Sequence, residues 1–161
     1  MTIRKSTNED LQTILQLIDE GRKKMVAEGN TSQWQKGHPS PQVIMSDIKN
    51  GNSYLILQED KAIATFALIK GPDPTYAVIY EGEWLNDNSY YVIHRVASMP
   101  NVHGVMRMIL EHAFSISDTI RIDTHRNNLS MQNLLRKYGF TYCGIIHLAN
   151  GDPRLAFQKT V

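Results

Sequence analysis

The first apolar stretch repeats with a helical period. Leu11, Ile14, Leu15, Ile18 and Met25 recur with polar residues between them, which predicts a helix from about Asn8 to about Glu28. Thr7 precedes it as N-cap, with Asp10 three residues on, and Ile3–Lys5 reads as a short strand before the cap. Residues 29–41 are rich in Gly, Asn, Ser and Pro and read as a loop carrying Trp34 and His38. Pro41 suits the first turn of a second helix, whose apolar side is Val43, Ile44 and Ile48 and which Asn50-Gly51 stops. Ser53–Gln58, Ile63–Lys70, Tyr76–Tyr80 and Tyr90–Ser98 are rich in β-branched and aromatic residues and predict strands.

After Pro100 the period changes again. Val105, Met108, Ile109, His112, Ala113 and Ile116 form one face of a helix that begins near Gly104. Thr119–Thr124 predicts a strand, and Ser130–Tyr138 a helix with Gly139 as its stop. Phe140–Leu148 and Arg154–Lys159 are final strands joined by a turn at residues 150–152. The order predicted is βααβββ, β, α, β, α, ββ, which implies a mixed sheet covered by helices rather than a doubly wound fold.

Composition narrows the class. The 161 residues suffice for one domain, 1–161, and no composition break marks a linker. Hydrophobic content is 42% and charged content 20%, a globular balance. Seventeen basic against sixteen acidic residues leave a net charge of +1, too weak a field to attract nucleic acid or a membrane surface. The single cysteine, Cys143, and a polar N-terminus lead to the expectation of a cytoplasmic protein. The six histidines show no metal-ligand spacing, so no metal is expected.

The strand-loop-helix unit over 90–110 is the first candidate for chemistry. A helix starting near Gly104 offers unpaired N–H groups and a positive dipole end suited to a pyrophosphate, and His103 and Arg107 add charge. One glycine in a turn is equally what an ordinary connection shows. The run Ile122-Asp123-Thr124-His125-Arg126-Asn127-Asn128, then a helix, then Gly139-Phe140, adds context. Together with Tyr142–Ile146 and Arg154–Phe157, it resembles the GNAT acetyltransferase superfamily over most of the chain.

The resemblance implies an α/β (α+β) fold. Its central sheet is mixed and mostly antiparallel, of about six to seven strands, flanked by about four helices and splayed at strands 4 and 5. It implies an N-acetyltransferase that moves an acetyl group from acetyl-CoA, as cosubstrate, to a primary amine through a ternary complex. Coenzyme A would lie in the splay. Val96, Ala97 and Ser98 would pair with the pantetheine; Asn101, Val102, His103, Gly104, Val105, Met106 and Arg107 would form the phosphate loop; Asn128 and Met131 would close the other arm.

The chain departs from the family pattern twice. The family's Gln/Arg-x-x-Gly-x-Gly/Ala loop is matched only in its first glycine, and Met106 stands where a small residue is usual. An ungapped reading instead starts at His103. The shortened loop is preferred because it puts Val105, Ile109 and Leu110 on the apolar face, whereas the other buries Glu111 and His112. Leu135 occupies the position of the family's tyrosine acid, with Tyr138 nearly one turn later. These departures keep an alternative open: an inactive CoA-binding or protein-interaction module, with Met106 filling the cleft in the latter.

An acceptor amine needs a base. Glu81, just past the Tyr76–Tyr80 segment, is the first candidate base, although a solvated acidic turn is the more common reading of such a position. His94 is second, placed on the same side as Val96 by strand alternation. His125 is third, and Asp123 is expected to pair with Arg121, Arg126 or a loop N–H. Trp34, Trp84 and Tyr91 are read either as an acceptor-pocket wall or as core, and Cys143 as a buried structural thiol. The acceptor, a small-molecule or protein amine, and a monomeric or homodimeric state stay open.

Overall fold

The computed structural model describes residues 1–35 and 37–161, so one position of the expected loop over 29–41, residue 36, lies outside it. The elements are β1 (Thr2–Lys5), α1 (Leu11–Ala27), α2 (Pro41–Lys49), β2 (Ser53–Gln58), β3 (Lys61–Lys70), β4 (Tyr91–Ser98), α3 (Val105–Ile116), β5 (Thr119–Thr124), α4 (Leu129–Lys137), β6 (Thr141–His147) and β7 (Pro153–Thr160). The seven strands form one sheet in the order β1-β2-β3-β4-β5-β7-β6. Every pairing is antiparallel except β4 with β5.

Local chemistry sets the helix ends. The Asp10 carboxylate accepts from the Thr7 N–H at 2.7 Å and from Arg4 at 2.8 and 3.0 Å. Those bonds, with Arg4 the largest cause, hold Asp10 down at about 2 and open α1 through a short 3-10 turn at Asn8–Asp10. Ser40 caps α2, accepting from the Val43 N–H at 3.3 Å, with Pro41 as the first helical residue. The Asn128 side chain caps α4, accepting from the Met131 N–H at 3.1 Å.

The pleat divides the sheet's side chains between two faces. Ile14, Leu17 and Ile18 of α1 and Ile44 and Ile48 of α2 pack on Leu55 and Ala97. On the opposite face, Ile109 of α3 and Leu135 of α4 meet Phe66, Ile122 and Phe157. Ile109, Leu135 and Phe157 are fully buried; burial of such a side chain contributes about 1.5–3 kcal/mol. Gly21 brings α1 close to β4: a Cβ there would lie 2.9 Å from Ala97 Cβ and 2.9 Å from Trp34 Cζ3.

The strand expected over Tyr76–Tyr80 does not form. Pro74–Tyr76 is a 3-10 turn, and Tyr80 makes a single bridge to Ile145 of β6. Pro72 and Pro74 cannot donate to a ladder, and Asp73 instead caps the turn by accepting from the Thr75 N–H at 2.9 Å. Side chains anchor the segment. Tyr76 is buried against Val92, Ile146 and Ala156, with Trp84 over it. The remaining elements lie within three residues of expectation, and no helix among the described residues is long and apolar enough to cross a membrane.

Candidate active site

The site is built where two strands part. β4 and β5 pair only at Tyr91↔Ile120 and Val92↔Arg121. From Ile93 onward that edge of β4 has no strand partner among the described residues. On its other edge, β3 partners run Ala67↔His94 and then Thr65↔Ala97, so Phe66 faces both Arg95 and Val96. This is a β-bulge, with Arg95 in the left-handed region at φ 54°. It corrects the expectation that His94 and Val96 share a side, because the extra residue breaks the period of two. Arg95 is held by Asp47 of α2, with Nε–Oδ2 at 2.7 Å and Nη2–Oδ1 at 2.8 Å.

Beside the bulge lies a cavity of about 350 Å³. Residues 96–98 and 102–106 form one wall, Asn128, Met131, Leu134 and Tyr138 the other, with Gly21, Lys24 and Met25 of α1 alongside. Gly104 is the N-cap of α3 at φ 81°, with no side-chain cap, so the first amides of α3 are left for an anion. Lys24 and Lys137, which the sequence reading did not single out, line the same cavity. An open strand edge for the pantetheine amides, uncapped helix amides and two lysines for phosphates together fit coenzyme A. Two expected contributors are displaced. Asn101 is not part of the lining, and Arg107 is exposed and paired with Glu111 at 2.9 Å.

Met106 belongs to the α3 core cluster and is 6% exposed. It does not fill the cavity, whose wall it joins. Val105, Ile109 and Leu110 are buried while Glu111 is exposed, as the shortened loop requires. Leu135 is fully buried in the core, whereas Tyr138 lines the cleft.

A second cavity of about 290 Å³ opens from the other side of the splay. Met25, Val96, Asn128 and Met131 line both cavities, so the two meet there. Trp34, His94, Asp123 and Arg154 line the second one. Trp84 and Tyr91 do not: Trp84 packs on Tyr76 and Arg121, and Tyr91 packs against the α3 core.

His94 Nε2 lies 3.3 Å from Asp73 Oδ2, and its Nδ1 lies 4.0 Å from Asp123 Oδ2. Asp123 accepts from the Tyr76 hydroxyl at 2.6 Å, which corrects the expected partners Arg121 and Arg126. Burial works to raise the Asp73 carboxyl, but hydrogen bonds from His94 and from the Thr75 hydroxyl and amide outweigh it and hold it at about 2. A carboxylate can only accept, so a neutral His94 donates from Nε2 and keeps the Nδ1 lone pair free. Burial, and then the Asp123 charge, push the Tyr76 phenol well up, so it stays a donor. Sequence reading singled out His94 as a candidate but neither Asp73 nor Tyr76. Separations of 21 residues from Asp73 to His94 and 47 from Tyr76 to Asp123 follow no motif.

Glu81 is displaced with its segment. It is exposed, at φ 56°, beside Gly82, whose missing side chain lets the turn touch Cys143 of β6. It lines neither cavity. His125 lines a separate neighbouring cavity with Arg126 and Asp152. Cys143 is buried, and that burial raises its thiol. Among the described residues, no group of three His, Cys, Asp or Glu side chains is placed to hold a metal ion.

Neither a family model nor a curated protein sequence matches the chain. Solved structures do. An acetyltransferase of the GNAT family from Streptococcus agalactiae 2603 is 34% identical, with 99% of this chain and 95% of that one covered and a TM-score of 0.90. A putative acetyltransferase from Staphylococcus aureus Mu50, 20% identical over 99% of both chains with a TM-score of 0.72, has the same fold. So does a chain of the NatC complex bound to Gag peptide and CoA, 14% identical over 99% of this chain and 98% of that one, TM-score 0.65. The splayed sheet and the 34% identity to the streptococcal protein place this chain in the GNAT family of acetyltransferases.

Proposed function

We propose that the protein is a single-domain N-acetyltransferase, acting in the cytoplasm, that transfers the acetyl group of acetyl-CoA directly to a primary amine. The observation that carries this reading is the meeting of the two cavities at Val96, Asn128 and Met131. One cavity suits a phosphorylated, strand-like cosubstrate, and the other carries a base. That CoA is bound in the NatC structure of the same fold supports the first assignment.

Acetyl-CoA supplies an acetyl group activated as a thioester. The chain supplies position and proton handling. The open edge of β4 beyond the bulge orients the pantetheine arm, and the α3 amides with Lys24 and Lys137 hold the phosphates. On the acceptor side, Asp123 attracts the ammonium form of the amine. His94 Nδ1 takes its proton, while Asp73 holds the ring and steadies the charge His94 gains. The neutral amine then meets the acetyl carbon where the cavities join.

Leu135 favours a second reading, a CoA-binding module without turnover. It stands where the family's acid would be and is buried in the core. Tyr138 lines the CoA cavity but not the acceptor cavity. The test is acetyl-CoA consumption across a broad amine panel by wild type and His94→Gln. Turnover lost in the variant with CoA binding retained is expected. Tight CoA binding with no turnover of any amine would establish the second reading.

A further inference from the structure

We propose that the acceptor is an amine bearing a carboxylate, of the size of a free amino acid, and that Arg154 determines this specificity by binding the carboxylate. The inference rests on the reading above, in which the cavity holding His94 receives the acceptor.

Arg154 stands near the start of β7 and is only 6% exposed. Among the described residues it forms no ion pair within 4.0 Å, and the one hydrogen bond of its side chain is Nη1 donating to the Pro153 carbonyl at 2.9 Å. Arg95 and Arg121, by contrast, are satisfied. Arg95 grips Asp47, and Arg121 bonds Gln158 and the Asn86 carbonyl while lying between two aromatic rings. Burial works against the Arg154 charge, and Asp123 and Asp152 offset this only in part. A guanidinium removed from water without an anion is costly, and its planar fork of N–H groups matches a carboxylate.

Its place completes the argument. Ala156 is the register partner of Asp123, and Arg154 lies two residues back along β7, so Arg154 and Asp123 stand on one face of the sheet. Both line the cavity that His94 lines. That cavity therefore carries anionic groups, Asp123 with Asp73 behind His94, and beside Asp123 the cation of Arg154. An amino acid presents the reverse pattern, ammonium and carboxylate. A purely cationic amine would leave Arg154 desolvated and unpaired. The volume of about 290 Å³ sits at the small end of ligand pockets and suits one such molecule.

The test measures kcat/KM and equilibrium binding for a series of α-amino acids, their primary amides and the matching amino alcohols, using the intact protein with acetyl-CoA or CoA. Acids are expected to exceed their amides by about 10- to 100-fold, the worth of a charged hydrogen-bonded contact. Arg154→Gln should erase that preference, with the loss on KM more than on kcat, and Arg154→Lys should restore part of it. Melting and CoA titration of each variant check its fold, and the wild-type acid-to-amide ratio needs no variant. Equal handling of acids and amides would overturn the inference while leaving acetyl transfer standing. If no amine turns over, the binding series still decides: acids binding the CoA complex better than amides sustains the inference, and no difference refutes it.

Discussion

The Arg95 guanidinium closes a two-pronged ion pair on Asp47, at 2.7 and 2.8 Å, joining the bulge of β4 to the second helix. Arg95 is the residue held at φ 54°, a conformation costly for a side chain of its size. The pair therefore fastens the distortion of β4 beside the cleft proposed to hold the cofactor. Asp47 is 9% exposed at its side chain and Arg95 20%. Removing either partner leaves the other poorly solvated. Asp47→Asn or Arg95→Gln should cost about 3 kcal/mol in urea unfolding and weaken CoA binding. The double variant should recover part of the stability. Equal losses that simply add would show that the two residues act independently.

A second anchor holds the segment that carries Asp73, the partner of His94. Arg121 is 5% exposed and lies 4.0 Å from the Trp84 ring centroid and 4.1 Å from that of Tyr90. Each contact of this kind contributes about 0.5–2 kcal/mol. Lysine cannot stack between both rings or reach the same partners with a fork. Arg121→Lys should lower stability by about 1–3 kcal/mol and shift Trp84 fluorescence to the red as the ring is hydrated. An unchanged spectrum would mean that the segment holds without the sandwich.

Asp73 gives a pH dependence with a definite sign. Its folded-state value of about 2 lies below the ordinary value of 3.8. The stability it contributes is therefore fully present above the unfolded value and is lost as pH falls through the interval between the two. Wild type should lose stability over that window, and Asp73→Asn should lose less of it. Parallel acid limbs in denaturation at stepped pH would contradict the hydrogen-bonded role of Asp73.

His94→Gln should reduce kcat by about 10²- to 10⁴-fold while leaving the affinity for CoA intact, because His94 lines only the acceptor cavity. Imidazole added to His94→Ala should restore part of the rate. Wild-type activity in Glu81→Gln is expected from its exposed position outside both cavities. A large loss in that variant would reverse the assignment of the base.

Much of the fold follows from spacing alone. The apolar face of α3 separates the two possible loop readings, and Gly104 and Gly139 mark helix ends through their positive φ. The resemblance carried by Asn128 and Gly139-Phe140 locates the cleft. Two features had no local signal. The bulge depends on the backbone of Arg95 and on Asp47, 48 residues away, so strand alternation misplaces Val96. Tyr76–Tyr80 is aromatic and β-branched, like a strand, yet the prolines before it and the burial of Tyr76 fold the segment into a turn. That single misreading moves Glu81 away from the site and conceals Asp73.

The most direct test of the account is calorimetric titration of the protein with CoA and acetyl-CoA, for wild type and for Gly104→Val. The account predicts one site per chain with micromolar affinity that weakens as salt rises, since lysines and helix amides meet phosphates. In the valine variant it predicts much weaker binding with the fold retained, because a β-branched residue cannot easily hold the left-handed conformation at φ 81°. No binding of either ligand at millimolar concentration would contradict the assignment of the splay between β4 and β5 as a CoA cleft.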